Sequence, residues 1–215
     1  VIVRIVSVNV SEPRWIEDGD RKVLTGIFKE PVSGTRRLTA TNLEGDGQAD
    51  LVNHGGHDKA VYVYPHEHYP AWAEELGRTD LSPGQFGENL TTRGLLEDSL
   101  CIGDTFRAGT ALLQVSQPRV PCAKLGIRMG DPAFVKVFLK SLRSGFYCRV
   151  LEEGTLAAQD PIAIETRDPE CFTVRDIMHL HFFDKKNVAQ LDRALSLTAL
   201  AESWQEPLTL LRAKL

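Results

Sequence analysis

The residue best suited to chemistry in this chain is Cys122, in the stretch Gln114 to Arg128 that reads Gln-Val-Ser-Gln-Pro-Arg-Val-Pro-Cys-Ala-Lys-Leu-Gly-Ile-Arg. Arg119 precedes it by three residues and Lys124 follows it by two. Positive charge at that range stabilises the thiolate, the form of cysteine that attacks electrophiles and binds soft metals. Pro118 and Pro121 lack an N–H and restrict the residues before them. The spacing therefore predicts an extended, semi-rigid loop that presents the thiol rather than burying it in a helix.

A second block, Ala49 to Ala60, reads Ala-Asp-Leu-Val-Asn-His-Gly-Gly-His-Asp-Lys-Ala. Its paired glycines, Gly55 and Gly56, let the backbone approach a ligand closely. His54 and His57 lie three residues apart with no cysteine partner, a poor zinc pattern, so backbone and loop-closing roles are expected, with His54 a ligand candidate. Lys29 stands where a strand gives way to a proline–glycine turn, and Asn89, which both donates and accepts, would suit an amide-bearing ligand. Between Gln114 and Val150, seven cations stand against Asp131 alone, a local +6 in a chain of formal charge −4, which leaves −10 elsewhere. That asymmetry speaks against nucleic acid and for a modest bound anion. Arg119, Lys124 and Arg149 are the candidates to hold it, with Lys29 behind them.

Elements must position these groups. Val1 to Val10 reads as a strand, as do Lys22 to Ile27, Arg37 to Leu43, Val61 to Tyr64 and Leu90 to Thr92. Cys101 to Arg107 and Ala111 to Val115 form a hairpin leading into the proline–cysteine loop, and Tyr147 to Leu151 and Ile162 to Glu165 close the β-rich part. Helical spacing appears at Pro65 to Leu76, stopped by Gly77, and after Asp131-Pro132, where Phe134, Phe138 and Leu142 recur every four residues. Short strands parted by glycine and proline turns predict a mainly β barrel or sandwich. No Gly-x-Gly-x-x-Gly or Walker loop is present, which disfavours a nucleotide fold.

After Asp168-Pro169 the texture becomes helical: Thr173 with Asp176 is a capping pattern for Val174 to His181, Val188 to Leu195 is a second helix, and Leu197 to Leu215 a third with a break near Pro207. The expected division is 1–168 and 169–215. The four cysteines are spaced by 21, 26 and 23 residues, which fits no zinc or iron–sulfur pattern and suits reduced thiols. Hydrophobic residues make up 42% and charged ones 25%, with no apolar run long enough to span a membrane and an N-terminus too short and too interrupted by Arg4 for a leader, so a cytoplasmic protein is expected.

Six motifs in order, Lys29 to Gly34, His54 to Ala60, Phe86 to Leu90, Ile102 to Asp104, Gln117 to Cys122 and Gly145 to Val150, resemble the MOSC domain family, in its YiiM-like branch with a three-helix extension. The resemblance implies a β-barrel whose cleft holds the molybdenum cofactor in molybdopterin form, with Cys122 as protein ligand to molybdenum. It further implies reduction of N-hydroxylated small molecules, such as N-hydroxylated purine bases, in detoxification. Lacking iron–sulfur ligands of its own, the chain would draw electrons from a separate flavin or iron–sulfur protein. The terminal helices are expected to pack on the barrel and leave a remnant that receives the donor or forms a homodimer. A carrier using a Cys122 persulfide and a non-enzymatic partner-binding module are the alternatives.

Overall fold

A computed structural model describes residues 3–50 and 55–215. The chain begins with β1 (Arg4–Val10) and a hairpin of β2 (Arg14–Asp18) and β3 (Arg21–Thr25), which forms a separate two-stranded ribbon. β4 (Glu30–Val32) and β5 (Arg36–Leu38) follow, then a single 3₁₀ turn at His57–Lys59, β6 (Val61–Pro65), α1 (His68–Leu76) and β7 (Leu90–Arg93). Next come β8 (Thr105–Ala108), β9 (Ala111–Pro118), α2 (Ala123–Met129), α3 (Phe134–Ser141), β10 (Phe146–Glu152), β11 (Gly154–Leu156) and β12 (Ile162–Thr166). The chain finishes in α4 (Val174–Phe182), α5 (Val188–Leu195) and α6 (Glu202–Arg212).

Eight strands make one mixed sheet in the order β12-β8-β9-β10-β6-β7-β1-β4, antiparallel throughout except for the parallel pair β6 and β7. The expected barrel is corrected to a curled sheet that does not close. Its far edge does come back to β1: Ile162 N donates to Val3 O at 2.9 Å and Gln159 N to Ile5 O at 2.8 Å. The pairing stops at the isolated bridge of Arg4 with Pro161, because the next N–H, that of Asp160, turns back to Ala157 O at 3.3 Å instead of reaching β1. Among the described residues no helix is long and apolar enough to cross a membrane.

Two apolar clusters fill the molecule. The larger joins strand residues such as Ile5, Val63, Phe106 and Val115 to Phe172, Ile177, Met178, Leu191 and Trp204 of the C-terminal segment, so sheet and terminal helices share one core. The smaller is aromatic: Tyr62, Tyr64, Tyr69, Trp72, Phe86, Phe134 and Phe138 pack with Ile27 and Leu125. Trp72 and Phe138 stack at 5.9 Å, and the Trp72 indole donates to the Tyr64 hydroxyl at 2.7 Å, which satisfies its buried N–H.

Several local expectations shift. Thr173 caps α4 as its spacing predicts, accepting from Asp176 N at 3.0 Å. Asp131 accepts from Ala133 N at 2.8 Å, and α3 itself begins at Phe134 and ends at Ser141, with Leu142 in a left-handed conformation. The expected strand from Arg37 is short because Glu44 and Asn42 fold the chain back on Arg37 and Thr39. α6 runs through Pro207 instead of breaking there; the missing N–H costs one backbone hydrogen bond, while Trp204 and Leu208 on either side are buried.

Candidate functional site

Cys122 does not lie in an extended loop alone. It is the residue immediately before α2, with φ −120° and ψ 172°, and its carbonyl accepts from Leu125 N at 2.9 Å. The α2 helix had been hidden by its glycine and by the two prolines that precede it. Pro121 and Leu125 are buried and anchor the turn, leaving the Cys122 thiol half-buried at the wall of a cleft. That cleft encloses about 610 Å³ of space counted out to its solvent mouth.

Arg119 stands beneath it. Only 5% exposed, its guanidinium lies over the rings of Tyr62 and Phe138, 5.3 and 5.2 Å from their centroids. These faces offset part of the cost of burying the charge. Arg119 Nη1 nevertheless finds no hydrogen-bond partner among the described residues. A buried cation with an unpaired donor is the arrangement an anion would complete. Burial pushes the Tyr62 and Tyr147 hydroxyls up, against the opposing pull of the Arg119 charge, so both remain neutral.

The opposite wall is a polar chain. Lys29, 7% exposed, donates from Nζ to Asp46 Oδ1 at 2.5 Å, and Asn89 Nδ2 donates to Asp46 Oδ2 at 2.9 Å. Ser11 N adds a third donor to Asp46 at 2.8 Å, while Asn89 Oδ1 accepts from Tyr62 N at 3.1 Å and so ties this wall to β6. Burial pulls the Lys29 pKa down, and Asp46 opposes it. Behind them Glu88, fully buried, accepts from Gly84 N, Phe86 N, Thr91 Oγ1 and the Tyr69 hydroxyl; its pKa is raised by burial despite these donors. Glu88 thereby fixes the loop that delivers Asn89.

Of the predicted site residues, the structure brings Cys122, Lys29, Asn89, Arg119 and Lys124 to one cleft. His54 lies outside the described residues. Gly55 is described but does not line the cleft. Arg149, expected at an anion, is directed elsewhere: its Nε pairs with Asp58, and its Nη1 donates to Ala199 O at 2.7 Å and Gln114 Oε1 at 3.1 Å. Asp46, Lys59, Tyr62 and Tyr147 line the cleft without having been singled out. Lys59 had a visible cue, since it belongs to the glycine block; burial lowers its pKa against the pull of Asp58 and Asp50.

Among the described residues no three His, Cys, Asp or Glu side chains gather as a metal-binding group. One thiol, the cations Arg119, Lys59 and Lys124, and an orphaned guanidinium N–H fit a metal-bearing cofactor that carries a phosphate.

Fold and site together define a sheet-built cleft lined by one thiol and several cations, with a helical extension. The chain belongs to the MOSC domain family: the MOSC domain model matches residues 50–163, and the YiiM-like 3-alpha helix domain model matches 172–212. It is a YiiM-like member. It is 46% identical to the protein YflK of Bacillus subtilis over 94% of this chain and 90% of that one. It is 37% identical to YiiM of Escherichia coli over 84% and 81%. A protein of Gibberella moniliformis named a reductase is 35% identical over 87% of this chain, which spans 32% of that longer protein. The crystal structure of YiiM from Geobacillus stearothermophilus superposes with a TM-score of 0.84 at 37% identity, covering 98% of this chain and 99% of that one.

Proposed function

We propose that this protein binds the molybdenum cofactor in molybdopterin form in the Cys122 cleft and reduces N-hydroxylated small molecules to their amines, with electrons from a separate flavin or iron–sulfur protein. The observation that carries the reading is the meeting, in one cleft, of a half-buried thiol with a buried arginine whose Nη1 lacks a partner. Family membership supports a function related to this cofactor, and the name of the Gibberella relative supports reduction.

The cofactor, when bound, supplies two-electron chemistry at a metal; the chain supplies the rest. Cys122 would be the protein ligand, and Arg119, Lys59 and Lys124 would hold the phosphate through charge-assisted hydrogen bonds. Lys29, Asp46 and Asn89 form a braced wall that orients a heterocycle without moving. Reduction of R–NHOH to R–NH2 and water consumes two protons with the two electrons. Lys59 Nζ and the Tyr147 hydroxyl are proton-bearing groups of the cleft.

The test is Cys122→Ser, produced in a cofactor-competent host and compared with wild type from competent and cofactor-deficient hosts. Serine is a hard, protonated donor, so metal content is expected to fall to background and reduction to be lost. Wild-type turnover and metal content in the variant would exclude Cys122 as a ligand.

A further inference from the structure

Two cysteines that do not line the cleft lie on paired segments at the seam between sheet and terminal helices. Cys101 lies in the turn before β8 and is 1% exposed, whereas Cys171, in the connector from β12 to α4, is exposed. The two segments are laced together: Ile102 N donates to Phe172 O at 2.9 Å, and Cys101 bridges Thr173 in antiparallel register. Across this short ladder Cys171 stands two positions from Thr173, the bridge partner of Cys101, near enough that its thiol helps to hold the Cys101 pKa up. Cys171 is also held at φ +41°, a conformation that a residue with a Cβ rarely adopts, with its N–H bonded to Asp168 O at 3.1 Å.

We infer that Cys101 and Cys171 form a dithiol site that reacts with an oxidised low-molecular-weight disulfide and closes to an internal disulfide. The exposed Cys171 thiolate attacks one sulfur of the incoming disulfide, forms a mixed disulfide and expels one thiolate. Cys101, as thiolate, then attacks Cys171 Sγ and expels the second. The two protein thiols lose two electrons and two protons; the small disulfide gains them and leaves as two thiols. Burial, then the Cys171 thiol and the Asp104 carboxylate, push the Cys101 thiol up to about 12, with Arg167 pulling the other way. Burial and the Asp104 carboxylate still oppose the Cys101 thiolate once Cys171 is a mixed disulfide, so the second exchange is the slow one and quickens as pH rises.

Closure would join positions 70 residues apart and pin the Thr173 cap of α4 to the sheet. Cross-links that close long loops restrict the unfolded chain most. The experiment uses the full wild-type chain, incubated with glutathione disulfide at about pH 8, quenched with an alkylating reagent and digested without reduction. A linked peptide pair containing Cys101 and Cys171, two hydrogens lighter than the dithiol form, is expected. With it should come a rise in Tm of about 5 °C that dithiothreitol reverses. Cys171→Ser, a change at an exposed position, should show neither. If Cys171 ends only as a glutathione mixed disulfide while Cys101 remains open to alkylation after denaturation, or if both stay as thiols, the proposal is overturned.

Discussion

Asp46 shows how much one side chain can hold at this site. It receives the Lys29 ammonium, Asn89 Nδ2 and Ser11 N, so Asp46→Asn removes the countercharge from a lysine that remains buried. Breaking a buried pair on one side is worth about 3 kcal/mol or more, and Asp46→Asn is expected to lose that much in denaturant unfolding. The pH dependence has a definite sign. The folded Lys29 pKa lies below the unfolded value of about 10.4, so between the two the unfolded chain binds more protons and stability rises with pH. The increment should steepen in Asp46→Asn and vanish in Lys29→Met, read from unfolding free energies between about pH 8 and 10. A flat profile in all three proteins would count against a destabilised ammonium. Cys122, Arg119 and Lys124 were legible because proximity in sequence already placed charge beside the thiol. Asp46 was not, because its partner Lys29 is 17 positions away and nothing periodic links a turn aspartate to a strand-end lysine.

At the scale of elements, the junction of α3 and β10 governs the floor of the cleft. Gly145 has φ +63°, and a Cβ built there would stand 2.5 Å from Val63 O. Its carbonyl accepts from Arg119 N at 3.3 Å and its N–H donates to Glu97 Oε1 at 2.6 Å, so the same residue sets both the β6–β10 approach and the position of Arg119. Gly145→Ala should cost at least about 2 kcal/mol from backbone conformation and crowding together, and should weaken binding of inorganic phosphate by the folded protein. Gly130→Ala is the control: it too has positive φ, but no atom lies within 4 Å of its Cβ, so it should lose only about 1 kcal/mol and leave phosphate binding alone. Equal effects at the two sites would show that crowding at Gly145 is relieved by small shifts. Strands with clear alternation, the hairpin of β8 and β9, and the Thr173 cap could be read from sequence because each depends on neighbours along the chain. α2 escaped because seven residues containing a glycine carry too little periodicity, and its stability comes from Leu125 packing into aromatic rings supplied by α1 and α3.

For the whole molecule, the decisive fact is the single core shared by sheet and terminal helices. Truncation after Asp168 would strip Ile177, Met178, Leu191 and Trp204 from that core, so the shortened chain is expected to aggregate or lose cooperative unfolding, and reduction with either a protein donor or a chemical reductant should fail together. A soluble truncated chain with a cooperative melt would refute this dependence. Arg149 is the polar counterpart of the shared core. It occupies the same outward face of β10 as Tyr147, but two residues and about 7 Å further along the strand, where it meets Asp58 on the glycine block, Gln114 on β9 and the Ala199 carbonyl ahead of α6. The sequence placed it in a basic run without saying how far along the sheet the cleft extends. Arg149→Ala leaves Asp58 and the Ala199 carbonyl without their partner, and charge-assisted bonds of this kind are worth about 1.5 to 3 kcal/mol each, partly offset by solvent at a half-buried site. The expected outcome is a Tm lower by roughly 4 to 10 °C, with the cofactor or phosphate affinity of the remaining folded protein unchanged. An unaltered Tm with affinity reduced about tenfold would instead return Arg149 to the anion site, because one lost charge-assisted contact is a loss of that size.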